Sequence, residues 1–140
     1  HAGLCAFSFS GSVGEKAQLS QTVNLTGVTA GAGDTLTLSA YFKGNDTTAK
    51  TQLHLIVTYT GNPTPVRSKI TVRRNAAYTL VSLPALTLSG PVEKIKVMFK
   101  HKSTTGKVLI DDVSLIHTIP GGRGSGALPL PSVDGFRGDR

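Results

Sequence analysis

From Leu19 to Leu115 the apolar residues of this chain return at every second position, segment after segment. In "DTLTLSAYFKG", Leu36, Leu38, Ala40 and Phe42 alternate with Thr35, Thr37, Ser39 and Tyr41; "TQLHLIVTYT" sets Leu53, Leu55, Val57 and Tyr59 on one side. "AQLSQTVNL" offers Leu19, Val23 and Leu25, "RSKITVR" Ile70 and Val72, "EKIKVMFKH" Ile95, Val97 and Phe99, and "KVLIDDVSLI" Leu109, Val113 and Leu115. A period of two is that of a strand with one face buried and one face wet, and Thr, Val and Leu suit such a pleated surface. Adding "LCAFSF" and "YTLVSLPAL" makes about eight short strands. Between them "GAGD" (31–34), "KGNDTT" (43–48), "GNPTP" (61–65), "SGP" (89–91) and "STTG" (103–106) supply the residues with which a backbone reverses. No segment carries a helical pattern. The spacing predicts an all-β, antiparallel β-sandwich of the jelly-roll kind.

After Ile119 the composition changes to "PGGRGSGALPLPSVDGFRGDR". The chain therefore divides into a sandwich over 1–118 and an extended Gly/Pro-rich tail over 119–140. Such a tail cannot bury enough surface to order itself alone. Two readings stay open: a linker toward another domain, or a strap docked on a neighbouring subunit. Leu128, Leu130, Val133 and Phe136 are the apolar anchors of the second reading, and Pro129 and Pro131 confine the strap to a sheet edge.

Fifteen Lys and Arg against eight Asp and Glu leave a net charge of +7. A positive field favours acidic polysaccharide, anionic surfaces or nucleic acid, but no nucleic-acid-binding signature accompanies it, so nucleic acid is not an expected partner. Cys5 is the only cysteine and can form no disulfide within these residues. No apolar run approaches the roughly 18 residues of a membrane span. The N-terminal "HAGLCAFSFS" lacks the charged and apolar regions of a signal peptide, which suggests a processed product or a fragment.

The succession "LCAFSFSGSVGEKAQLSQTVNL", "AGDTLTLSAYFKG", "GKVLIDDVSLI" resembles the jelly-roll modules related to carbohydrate-binding families 4, 9 and 22, with their galactose-binding-like fold, over residues 4 to 117. The resemblance implies a structural Ca²⁺ held by Asp111, with Asp112 second. The alternative is that Asp111 accepts backbone hydrogen bonds while Asp112 faces water. It also implies an opening strand that would precede His1. A sandwich without it exposes an edge that a strand from another copy could fill.

No catalytic constellation is present. His1, His54, His101 and His117 show no metal-binding spacing, and Asp111 and Asp112 project to opposite strand faces, unlike a glycosidase pair. If sugar is bound, Tyr41 is the stacking candidate, with Gln52, His54 and Arg67 to read hydroxyls. "NLT" at Asn24 and "NDT" at Asn45 fit the N-glycosylation pattern, and "RGD" at 137–139 is a three-residue match treated as coincidence. The expected function is a non-catalytic extracellular or cell-surface subunit that self-associates into a filament or surface assembly. The alternatives are a carbohydrate-binding module of a larger secreted protein and a basic module held on an acidic polymer by charge.

Overall fold

The computed structural model describes residues 7–11, 15–44, 50–72, 75–103, 106–120, 126–127 and 137–139. Cys5, Asn45, Leu128, Leu130, Val133 and Phe136 lie outside them. The alternating runs become strands: β1 (Phe7–Gly11), β2 (Glu15–Thr22), β3 (Thr35–Gly44), β4 (Lys50–Tyr59), β5 (Val66–Val72), β6 (Asn75–Ser82), β7 (Leu86–Thr87), β8 (Val92–Ser103), β9 (Gly106–Thr118), β10 (Gly126–Ala127) and β11 (Arg137–Asp139). They form two antiparallel sheets. One is ordered β1-β9-β3-β6, with β10 added on β9 and β7 on β3; the other is ordered β11-β2-β8-β4-β5. The protein is an all-β jelly roll.

The core is the space between the sheets. Leu36, Leu38, Ala40, Phe42, Val108, Ile110 and Leu115 come from one side, and Leu19, Leu53, Leu55, Val57, Ile95, Val97 and Phe99 from the other. All belong to strands whose period of two turns the intervening residues away from this core. Turns fall where Gly and Asn permit them. At 61–64, Gly61 adopts φ 78°, the Asn62 amide donates to the Tyr59 carbonyl, and the Asn62 side chain accepts from the Thr64 amide. "YTLVSLPAL" divides into β6 and β7 around Pro84, which can donate no ladder hydrogen bond.

β9 departs from strict alternation, and this answers how Asp111 can sit within it. Alternation predicts Leu109, Asp111, Val113 and Leu115 on one inward face. Instead Val108 and Ile110 are buried, Leu109 is half-buried, and Leu115 and His117 are the next buried apolar-side positions. The register against β3 shifts between Ser39 and Tyr41, so Asp112 and Val113 stand against the single residue Ala40. This is a β-bulge, and it re-aims every side chain beyond it. Asp112 takes its left-handed position, φ 48°, and its amide donates to Asp111 Oδ1 at 2.9 Å.

The described parts of the tail pair in cis. Gly126 and Ala127 lie against His117 and Ile116 of β9, and Arg137–Asp139 lie against Ser20, Leu19 and Gln18 of β2. The β2 edge is paired with the chain's own "RGD" segment.

Candidate functional site

Because opposite residues in an antiparallel ladder share a face, the register of the five-stranded sheet sorts its outer surface into rungs. The first rung is Lys16–Lys102–Lys50. The second is Gln18–Lys100–Gln52–Thr71, and the third Ser20–Met98–His54–Lys69. A fourth, Thr22–Lys96–Ile56–Arg67, precedes the last pair, Lys94–Thr58. Met98, His54 and Ile56 are buried even on this outer face. Their rung neighbours Lys69, Lys96 and Arg67 carry long alkyl stems that cover apolar surface while the charged heads stay in water.

A polar chain crosses the middle rungs. Arg67 donates to His54 Nδ1 at 3.3 Å, so Nδ1 carries the lone pair and Nε2 carries the proton. His54 Nε2–H then donates to Gln52 Oε1 at 3.1 Å, and Gln52 Nε2 donates to Thr71 Oγ1 at 3.4 Å. Burial, and then the positive charges of Arg67, Lys100 and Lys69, push the His54 pKa down to about 4. The imidazole is therefore neutral at pH 7, as the hydrogen-bond direction requires. Beside this chain lies a depression of about 580 Å³, lined by Lys16, Gln18, Lys50, Gln52, Lys100 and Lys102.

The three residues expected to read sugar hydroxyls, Gln52, His54 and Arg67, are thus brought into one hydrogen-bonded chain. Tyr41 is not with them. It belongs to β3 in the other sheet, opposite Leu80 and Asp111, and is half-buried there. Alternation within a single strand identifies an outward residue but not which sheet owns the strand. Asn24 is exposed, and its side chain accepts from the Thr26 amide at 2.9 Å.

Asp111 is buried beside the bulge, where its Oδ1 is already engaged by the Asp112 amide, while Asp112 is exposed. Ca²⁺ asks for six to eight oxygen ligands, usually from several carboxylates. Among the described residues no group of three or more His, Cys, Asp or Glu gathers as a metal site.

At the level of sequence, no protein family and no curated relative matches the chain. Solved structures do. "Family 16 Carbohydrate Binding Module-2" superposes with a TM-score of 0.60 at 15% identity, over 79% of this chain and 74% of that one. TmCBM61, solved in complex with β-1,4-galactotriose, gives 0.53 at 18% identity over 82% and 72%. The fold is that of carbohydrate-binding modules. The enzymatically active domain of tailspike protein 4 from bacteriophage CBA120 shares the architecture too, with a TM-score of 0.61 at 17% identity, over 79% of this chain and only 15% of that one.

The lysine ladder was the site feature that sequence reading passed over. Its signal is in "EKIKVMFKHK", where Lys94, Lys96, Lys100 and Lys102 alternate with Ile95, Val97 and Phe99. What the strand could not reveal is that Lys16 and Lys50, distant in sequence, complete a rung with Lys102.

Proposed function

We propose that this chain is a non-catalytic carbohydrate-binding module of a secreted or cell-surface protein, holding a glycan across the outer face of its five-stranded sheet. The observation that carries the reading is the Arg67–His54–Gln52–Thr71 chain, placed on an open sheet face of a fold that carbohydrate-binding modules share. Guanidinium, amide and hydroxyl groups fixed by one another present donors and acceptors in set directions, which is what discriminating sugar hydroxyls requires. No helix among the described residues is long and apolar enough to cross a membrane. Head-to-tail polymerisation has less support, since the described tail segments pair within their own chain.

The test is retention on a panel of immobilised polysaccharides, comparing the wild-type chain with Arg67→Ala and Gln52→Ala. Each variant should lose about tenfold in affinity, or roughly 1.4 kcal/mol, with an unchanged far-ultraviolet circular dichroism spectrum. Wild-type binding that neither substitution weakens would remove this face from the function, and absence of binding to every polysaccharide would remove the function itself.

A further inference from the structure

The charge on the candidate face is one-sided. Eight of the chain's fifteen Lys and Arg (Lys16, Lys50, Arg67, Lys69, Lys94, Lys96, Lys100 and Lys102) occupy its rungs. Across β2, β8, β4 and β5 the register sets no carboxylate among them. Glu15 pairs with Ser103, one position off the rungs, and Glu93 lies at the bulge where β4 and β8 lose register. The added strand β11 brings Arg137 and Asp139 to the far edge, opposite Ser20 and Gln18, and adds no net charge.

The first rung carries the argument. Lys16, Lys102 and Lys50 sit directly opposite one another on three adjacent strands, about 4.8 Å apart in the hydrogen-bonding direction. Like charges directly opposite destabilise a sheet, so this rung weakens the fold unless an anion lies over it. Lys100 extends the positive row into the second rung, and these side chains line the same depression. Along β8, Lys94 and Lys96, then Lys100 and Lys102, follow at every second residue, each step about 6.7 Å. The result is a grid of ammonium groups several sugar rings long.

Among the described residues, the same face has no Phe, Tyr or Trp at any of its rung positions. Neutral sugars are usually held by stacking on flat rings, and single-stranded nucleic acids by stacking of bases on aromatic side chains. A face of lysines with one neutral imidazole and two amides offers neither platform. It suits a polymer whose recognition rests on repeated anionic groups, with hydroxyls between them for Gln52 and His54.

We propose that the ligand of this face is an acidic polysaccharide, carboxylated or sulfated, gripped by the Lys16–Lys102–Lys50 rung. This rests on the carbohydrate-binding reading and narrows its ligand class.

The test uses polygalacturonate and its fully methyl-esterified form, which differ in charge but not in sugar. The folded chain's affinity for each is measured calorimetrically at 50 and 200 mM NaCl, with a duplex DNA of matched charge as comparator. Polygalacturonate should bind at least about tenfold more tightly than the ester, and its affinity should fall steeply with salt. Lys102→Ser should lose most of that preference and yet melt at the same or a higher temperature, because it relieves the rung. Lys43→Gln, on the opposite sheet, should change neither. Equal binding of ester and polyanion, insensitive to salt, would overturn the acidic-ligand proposal while leaving carbohydrate binding intact. Binding of neither would overturn both. Duplex DNA binding as tightly as polygalacturonate would overturn the assignment to polysaccharide, and an undiminished Lys102→Ser would remove the rung from it.

Discussion

The rings of Phe42 and Phe99 meet edge to face, their centroids 5.9 Å apart and their planes at 60°. One comes from β3 and the other from β8, so the contact joins the two sheets at the middle of the core. Both are essentially inaccessible to water. Truncating Phe99 to Ala should cost about 3–5 kcal/mol, since the transfer term and the cavity term add. Urea unfolding followed by circular dichroism measures it. A loss below about 1 kcal/mol would mean that the two sheets do not share this core.

At the start of β3, beside its sheet neighbour β9, His117 Nε2 lies 2.7 Å from Asp34 Oδ2, with both residues buried. An ionised carboxylate can only accept, so Nε2 carries the proton. The same oxygen accepts the Gly31 amide at 3.1 Å, which ties the "GAGD" turn to β9. The hydrogen bond from His117, then that from Gly31, holds the Asp34 carboxyl below its ordinary 3.8. Its contribution to stability is complete above that value and disappears as pH falls through the lower, folded-state value. Asp34→Asn should therefore flatten the acid limb of the stability profile below about pH 4. Denaturant midpoints taken every half unit of pH would show this, and a variant limb as steep as the wild type would assign the acid sensitivity elsewhere.

His54 acts in a different window. Its folded value of about 4 lies below the ordinary 6.5, so between these values the unfolded chain takes up a proton that the folded chain refuses. Stability from this group is full above pH 6.5 and declines as pH falls toward 4. Replacing His54 with Gln should remove that decline, which chemical denaturation at pH 7 and pH 5 detects. An anion laid over Lys69 and Lys100 cancels part of the field that suppresses protonation. The His54 C2–H resonance should consequently titrate at higher pH in the presence of polygalacturonate, and an unmoved titration would separate ligand from imidazole.

At the β9 bulge, Asp112 holds a backbone conformation that β-branched residues adopt only under strain. Asp112→Val should destabilise by about 1–3 kcal/mol, whereas Asp112→Gly should be neutral or mildly stabilising. Thermal melts of the pair settle the ordering. If Val were tolerated as well as Gly, the bulge would sit elsewhere in the strand.

Much of this architecture was legible in the chain because strand periodicity is local. Leu36, Leu38, Ala40 and Phe42 declare an inward face within eight residues, and Leu53, Leu55 and Val57 do the same. Turn positions follow from Gly, Asn and Pro for equally local reasons. By this route the sequence alone determined an all-β sandwich, most of its core, and the outward placement of Gln52 and Arg67. Register is not local. Whether Tyr41 shares a sheet with His54, whether Lys16, Lys50 and Lys102 form one rung, and whether Asp111 points in or out all depend on which strands pair and where a residue is skipped. One added residue at Asp112 reverses the faces of everything before it relative to everything after. Long-range pairing likewise sets Asp34 against His117, 83 positions away in the chain. Tertiary structure alone decided these relationships, because a charge row or a buried pair spanning several strands exists only once the strands have found their partners.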